Sequence, residues 1–94
     1  MRMITLVIYD ITDDDTRLKV SKFLRQKGLK RIQKSAFAGA LTSSQKADVV
    51  AGLRRLVMNQ KANVQLYPLT DASFNQRIVI GEEIDYDDEG VLVT

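Results

Sequence analysis

Asp10 is the residue in this sequence whose type and position best suit catalysis. It follows Met3 to Tyr9 (MITLVIY), an apolar and β-prone run that predicts a central strand covered on both faces. At the end of such a strand a carboxylate is held rigidly and can face a cleft. The alternative is that Asp10 only caps the following turn through the backbone, and the residues alone do not decide between the two roles.

One carboxylate is a poor Mg²⁺ site by itself, because Mg²⁺ usually takes one or two carboxylates together with waters and substrate phosphate oxygens. Two-fold symmetry can supply the second carboxylate: if the open sheet faces of two subunits meet, one Asp10 from each flanks the axis. A metal ion held there would polarise a phosphodiester and lower the pKa of a bound water. In this interpretation the site would be that of a Mg²⁺-dependent phosphodiesterase formed by a homodimer, with Asp10 as catalytic residue and metal ligand.

The sequence contains no His and no Cys, which removes most other routes to catalysis. Without these residues the commonest general base, thiol nucleophiles, thiolate metal sites and disulfides are all excluded. The acidic run Asp13, Asp14 and Asp15 is a poor metal cluster, since consecutive helical residues point about 100° apart. Capping and first-turn stabilisation of a helix explain that run better.

The net charge of +2 conceals a strong segregation along the chain. Residues 1–15 carry one Arg and four Asp, for −3; residues 16–61 carry twelve Lys or Arg and one Asp, for +11; residues 71–94 carry −6. A basic centre between acidic ends is typical of a phosphate-binding surface with a carboxylate site beside it. Solvated helix faces explain any single Lys, but the whole block favours a nucleic-acid partner.

Seven residues are the candidates for contacts with nucleic acid. They are Arg17, Arg31, Lys34, Ser35, Phe37, Arg54 and Arg55. The basic side chains would bind phosphates, which positions a nucleic acid without reading its sequence. Ser35 would donate to a phosphate oxygen or satisfy a backbone group, and Phe37 would stack on a base or pack in the core or a dimer interface.

The elements predicted around these residues begin with a helix from Asp14 to Lys27, ended by Gly28. Lys30 to Ala40 alternates in polarity and predicts one strand. Thr42 to Gln45 matches a capping box, and about four turns of a second helix follow it.

Val64 to Leu69 predicts a strand, Asp71 to Gln76 a turn or a single helical turn, and Arg77 to Ile80 (RIVI) a fourth strand. We interpret residues 3 to 80 as the order β-α-β-β-α-β. That order predicts an α+β, ferredoxin-like fold: a four-stranded antiparallel sheet with both helices on one face.

The chain divides into a nucleic-acid-handling domain, residues 1–80, and an acidic C-terminal segment, residues 81–94. Within that segment Val91 to Val93 (VLV) predicts a short terminal strand, which would pair with the edge of a neighbouring subunit in a homodimer. No apolar run approaches the roughly 18 residues that span a bilayer. The stretch from Met1 to Asp10, after which polar residues begin, is too short for a secretory signal. We therefore expect a cytoplasmic protein without a membrane segment.

Several of these motifs together resemble a known family. Tyr9-Asp10-Ile11, Arg17, Arg31 to Phe37 (RIQKSAF) and Leu66 to Leu69 (LYPL) are similar to the CRISPR-associated endoribonucleases, the smaller partner of the adaptation integrase. The resemblance implies a ferredoxin-like homodimer in which Asp10 and its symmetry mate bind Mg²⁺. It also implies cleavage of single-stranded RNA or double-stranded DNA, and a place between integrase subunits in spacer acquisition. In the family the last strand commonly crosses to the partner subunit.

Three functions follow from the sequence. The first is the Mg²⁺-dependent phosphodiesterase with Asp10 as ligand. The second is a non-catalytic scaffold whose basic helices bind the backbone of a DNA duplex. The third is a ferredoxin-like, toxin-type ribonuclease with the same fold and another partner. The residues do not decide between RNA and DNA as substrate.

Overall fold

The computed structural model of the protein describes residues 2–82. Its elements are β1 Met3–Ile11, α1 Asp14–Gln26, β2 Lys30–Gln33, β3 Ala36–Ala40, α2 Ser43–Leu56, β4 Ala62–Thr70 and the short α3 Asp71–Asn75. The four strands form one antiparallel sheet in the order β2-β3-β1-β4. The ferredoxin-like α+β fold predicted from the sequence is confirmed. None of the helices among these residues is long and apolar enough to cross a membrane.

Alternation along β1 decides which face of the sheet carries the helices. Val7, Tyr9 and Ile11 point to one face and are buried in a single apolar cluster. That cluster also contains Val20 and Leu24 of α1, Phe37 of β3, and Val49 and Leu53 of α2. Both long helices therefore pack on the same face of the sheet, and we call the opposite face, which neither α1 nor α2 covers, the helix-free face.

The prediction that β1 is covered on both faces is only half right. On the helix-free face Ile4 is buried, but Leu6 and Ile8 are only partly covered and Asp10 is exposed. Exposure thus increases along β1 toward the residue that the sequence singled out.

The predicted helix starts are confirmed, and α1 ends at Gln26, one residue before the predicted Lys27. Asp13 is the N-cap of α1, and one of its carboxylate oxygens accepts from both the amide and the hydroxyl of Thr16, each over 2.8 Å. These two hydrogen bonds lower the pKa of the Asp13 carboxyl. Gly28 ends the helix with a φ of +89°, a conformation that suits glycine. Thr42 and Gln45 form the capping box of α2.

The single strand predicted over Lys30 to Ala40 is wrong, because this segment is a hairpin of β2 and β3. Lys34 and Ser35 form the turn, and the register shifts between Arg31 and Gln33. The turn contains no Gly, Asn or Pro, so the polar alternation runs through it without the usual turn signal. The elements predicted one by one from the sequence run β-α-β-α-β-β, and only the hairpin, with β4 as the last strand, gives the order β-α-β-β-α-β that we assigned to residues 3 to 80.

The fourth strand predicted over Arg77 to Ile80 is also wrong. These residues have no regular structure, and the side chains of Ile78 and Ile80 are 84% and 92% exposed. The place beside β1 is taken by β4, whose nine residues pair along the whole length of β1. The predicted terminal strand, Val91 to Val93, lies outside the described residues, and the domain boundary at residue 80 stays a prediction.

Gly52 allows α1 and α2 to pack closely. A Cβ added to this residue would overlap the ring of Phe23 on α1. We expect Gly52→Ala to destabilise the protein by about 1–3 kcal/mol through overpacking, although alanine favours a helix interior by about 1 kcal/mol over glycine. Urea unfolding gives the change in the free energy of unfolding.

The matched control for Gly52→Ala is the same substitution made in a Phe23→Leu protein. The smaller side chain leaves room for the added methyl group, so the substitution is expected to cost much less there. Equal destabilisation in both backgrounds would show that the Phe23 ring is not the cause.

Candidate metal and nucleic-acid site

Asp10 is the second-last residue of β1 and points to the helix-free face. Its neighbour Ile11 is 2% exposed and is held in the core on the other face, so the strand fixes the backbone on both sides of the carboxylate. The carboxylate makes no hydrogen bond within residues 2–82, and the following helix is capped by Asp13 instead. Asp10 is therefore available to a ligand.

Arg17 lies in the first turns of α1, and its side chain reaches back to the connection between β1 and α1. Its Nη1 donates to the carbonyl oxygens of Ile11 and Thr12 over 3.0 and 3.3 Å, while its Nη2 pairs with Asp14. These contacts hold the guanidinium against the backbone of the two residues that follow Asp10. Its positive charge is partly offset by Asp14.

Arg31 and Phe37 are register partners on the face that carries the helices, not on the face of Asp10. The guanidinium carbon of Arg31 lies 5.0 Å from the centroid of the Phe37 ring. Phe37 is fully buried and its ring stacks against Tyr9 at 6.3 Å between centroids. In this structure Phe37 packs in the core, one of its two sequence-based alternatives, and supports Arg31.

Tyr9 is a residue of the site that the sequence reasoning missed. Its hydroxyl donates to the carbonyl oxygen of Lys34 over 3.4 Å, and its amide donates to the carbonyl oxygen of Ser35 over 3.0 Å. These bonds hold the β2–β3 turn, with exposed Lys34 and half-buried Ser35, against the end of β1. The sequence signal for this role was a Tyr in the apolar strand, directly before Asp10. The hydroxyl of a buried Tyr usually forms a hydrogen bond with a polar partner.

Burial raises the pKa of Tyr9, and the nearby charge of Arg31 opposes this only in part. Because folding favours the neutral phenol, its contribution to stability is full below pH 10.0, the ordinary tyrosine value, and is lost as the pH rises above it. We expect the wild-type protein to lose more stability than Tyr9→Phe between neutral and strongly alkaline pH. Urea unfolding of both proteins across that range measures the difference, and parallel curves would contradict it.

The fold gathers basic residues at the end of the sheet where Asp10 lies. The amide of Thr12 donates to the carbonyl oxygen of Lys61 over 3.3 Å, which brings the connection before β4 next to the end of β1. The last turn of α2, with Arg54 and Arg55 exposed, leads into this connection. The cations at this end are Arg17, Arg31, Lys34, Arg54, Arg55 and Lys61, of which only Arg17 forms an ion pair within residues 2–82.

The Asp10 carboxylate can be tested for its fit to a metal ion. Among residues 2–82 no group of three or more His, Cys, Asp or Glu is placed to hold a metal ion. An exposed carboxylate is a hard oxygen donor of the kind that Mg²⁺ prefers, and Mg²⁺ needs only one or two of them when water and phosphate complete its shell. The donor chemistry of Asp10 fits Mg²⁺.

The structure is thus that of a small ferredoxin-like α+β protein with an exposed aspartate near the end of its central strand and basic residues gathered at that end. The sequence profile of the family described as CRISPR associated protein Cas2 matches residues 2–77. The chain belongs to this family.

Relatives and solved structures agree with this assignment. A protein of Korarchaeum cryptofilum named CRISPR-associated endoribonuclease Cas2 is 42% identical over 76 residues, which cover 81% of this chain and 82% of that protein. A fusion named CRISPR-associated endonuclease Cas1/endonuclease Cas2, from Thermoproteus tenax, is 37% identical over 71% of this chain and 25% of its own length. A crystal structure of Cas2 superposes with a TM-score of 0.74 at 26% identity, covering 88% of this chain and 91% of the other.

Proposed function

We propose that this protein is a Mg²⁺-dependent endonuclease of CRISPR adaptation that cleaves phosphodiester bonds of single-stranded RNA or double-stranded DNA. The observation that carries the proposal is the Asp10 carboxylate, which lies at the end of the sheet where the basic residues gather. It is exposed, its strand is buried on the face that carries the helices, and it makes no hydrogen bond within residues 2–82. The endoribonuclease names of the relatives support the same reaction.

Each residue of the site has a role in this proposal. Asp10 holds the metal ion, which when bound polarises the phosphodiester and supplies a water of lowered pKa. Arg17 and Lys34 bind phosphates on either side of the scissile one, and Ser35 donates a hydrogen bond to a phosphate oxygen. Tyr9 keeps the Lys34–Ser35 turn in place through its two hydrogen bonds.

The proposed site belongs to a homodimer. One subunit offers a single carboxylate, so two copies of Asp10 are needed to flank one ion. The exposed apolar segment that follows α3, with Ile78, Val79 and Ile80, supports self-association, since such a patch on a small domain is typical of an interface. The exchange of the last strand that the family resemblance implies, which is common rather than general in the family, would add to this interface.

A second function, the scaffold that binds duplex DNA, is favoured by a separate observation. Arg54 and Arg55 are exposed in the last turn of α2 and form no ion pair within the described residues, so both are available to phosphates. We propose the integrase as protein partner, which the Cas1 and Cas2 fusion of Thermoproteus tenax supports. Membership of the Cas2 family favours both functions over a toxin-type ribonuclease.

Cleavage of labelled RNA and DNA by purified protein, in Mg²⁺ and in EDTA, tests the catalytic proposal. Wild-type protein is expected to cut at least one of these substrates only when Mg²⁺ is present. Cleavage that persists in EDTA would contradict a metal-dependent mechanism.

A further inference from the structure

Three exposed polar side chains follow one another along β4 on the helix-free face: Asn63, Gln65 and Tyr67. Hydrogen bonds join them in a row. The hydroxyl of Tyr67 donates to Oε1 of Gln65, and Nε2 of Gln65 donates to Oδ1 of Asn63 over 2.9 Å. We call these three residues the β4 ladder.

The hydrogen bonds of the β4 ladder have a direction. Tyr67 donates at one end, and each amide accepts through its oxygen, so the oxygen of Asn63 already has a donor. The amide nitrogen of Asn63 carries two N–H groups and makes no hydrogen bond within residues 2–82. Asn63 is therefore presented as a hydrogen-bond donor, which suits an anion rather than a metal ion.

The register of the sheet places that donor beside Asp10. Asp10 and Asn63 are direct partners in the antiparallel pair of β1 and β4, and both are exposed on the helix-free face. The Cβ atoms of such partners lie about 4.5–5.5 Å apart. The two side chains are not hydrogen-bonded to each other, so a group bound at Asp10 can contact both.

We propose that Asn63 binds a non-bridging phosphate oxygen of the nucleic acid at the Asp10 site, and that Gln65 and Tyr67 are positioning residues for its amide. A phosphate oxygen accepts the N–H that Asn63 offers, next to the carboxylate that holds the metal ion. This inference rests on the proposed function, because it takes the substrate of Asp10 to be a phosphodiester.

Binding of a fluorescein-labelled single-stranded RNA, measured by fluorescence anisotropy in EDTA, tests the donor without metal or turnover. Asn63→Leu keeps the approximate shape of the side chain and removes the donor, so RNA affinity is expected to fall roughly five- to thirty-fold. Asn63→Asp should bind RNA at least as weakly as Asn63→Leu does, because a second carboxylate then faces the phosphate. The control is Asn75→Leu, the same change on α3, which should bind like wild type. Wild-type affinity in Asn63→Leu would overturn the proposal.

Tyr67→Phe tests the positioning role. Without the hydroxyl the amide of Gln65 loses its orienting donor, and RNA affinity is expected to fall about two- to five-fold, less than a direct contact costs. The double variant Asn63→Leu/Tyr67→Phe should bind no more weakly than Asn63→Leu, since Tyr67 acts through Asn63. Independent, additive losses would contradict a positioning role.

The amount of bound Mn²⁺, measured by electron paramagnetic resonance, shows whether Asn63 is a hydrogen-bond donor to phosphate or a ligand of the metal ion. Asn63→Leu is expected to bind Mn²⁺ like wild type, and a loss of Mn²⁺ would overturn the donor assignment. The two proposals fail differently. If Asp10→Asn retains cleavage while Asn63→Leu weakens RNA binding, only the catalytic proposal fails. If Asp10→Asn loses cleavage while Asn63→Leu binds normally, only the role of Asn63 fails.

Discussion

Asp10→Asn is expected to abolish Mg²⁺-dependent cleavage while leaving the fold intact. A metal ion contributes several kcal/mol to such a transition state, and each 1.36 kcal/mol is tenfold in rate, so the loss should be roughly 10²–10⁴-fold. The side chain is exposed and makes no hydrogen bond within residues 2–82, so the amide should cost little stability. Initial rates on labelled RNA and DNA, with circular dichroism of the folded protein, measure both effects.

Asp13→Asn is the matched control for this prediction. It makes the same chemical change three residues away, at the N-cap of α1, where Asn caps about as well as Asp. Its cleavage rate is expected to equal that of wild type. If Asp10→Asn also cleaves at the wild-type rate, the activity comes from another site or from a contaminating nuclease.

Reversing two charges, with Arg54→Glu and Arg55→Glu together, is expected to weaken binding of duplex DNA about 10- to 100-fold at low salt. Each phosphate contact adds about 0.9 to the slope of log K against log salt concentration, so losing two contacts should flatten that slope by about 1.8. Both side chains are exposed in the last turn of α2, so the duplex can reach them without rearrangement of the core. Anisotropy of a labelled duplex over a range of salt concentrations gives both quantities.

The control for these two reversals uses two lysines at the other end of the sheet. Lys27 is the C-cap of α1 and Lys46 lies near the start of α2, so Lys27→Glu with Lys46→Glu changes the net charge equally but away from Asp10. The slope is expected to stay near that of wild type. An equal loss in both double variants would indicate that net charge, rather than the surface at the last turn of α2, determines binding.

Local signals explain what could be predicted from the sequence. The cap at Asp13, the capping box at Thr42 and the turn at Gly28 each depend on residues within one helical turn, and all three are present. The hairpin was missed because the turn at Lys34 and Ser35 contains no Gly, Asn, Asp or Pro, and a single Ser is a weak turn signal. The segment 77–80 has the composition of a strand, but strands need partners and β4 already pairs with all of β1.

The site was only partly predictable for a related reason. The position of Asp10 follows from one strand, whereas its neighbour Asn63 is set by the register between two strands more than fifty residues apart. The sequence also did not predict that Arg31 and Phe37 lie on the opposite face of the sheet from Asp10. Successive side chains of a strand alternate between the two faces of the sheet, so the face of each residue depends on where the strand begins. The bulge in β2 shifts this alternation by one residue.

The stoichiometry of Mn²⁺ binding tests the central claim most directly, because the proposed site is shared by two subunits. Titration of the protein with Mn²⁺, followed by electron paramagnetic resonance and combined with sedimentation to count subunits, gives the number of ions per chain. We predict one ion for two chains, lost in Asp10→Asn. Binding of one ion by each single chain, or binding that persists in Asp10→Asn, would contradict a metal site formed by two copies of Asp10.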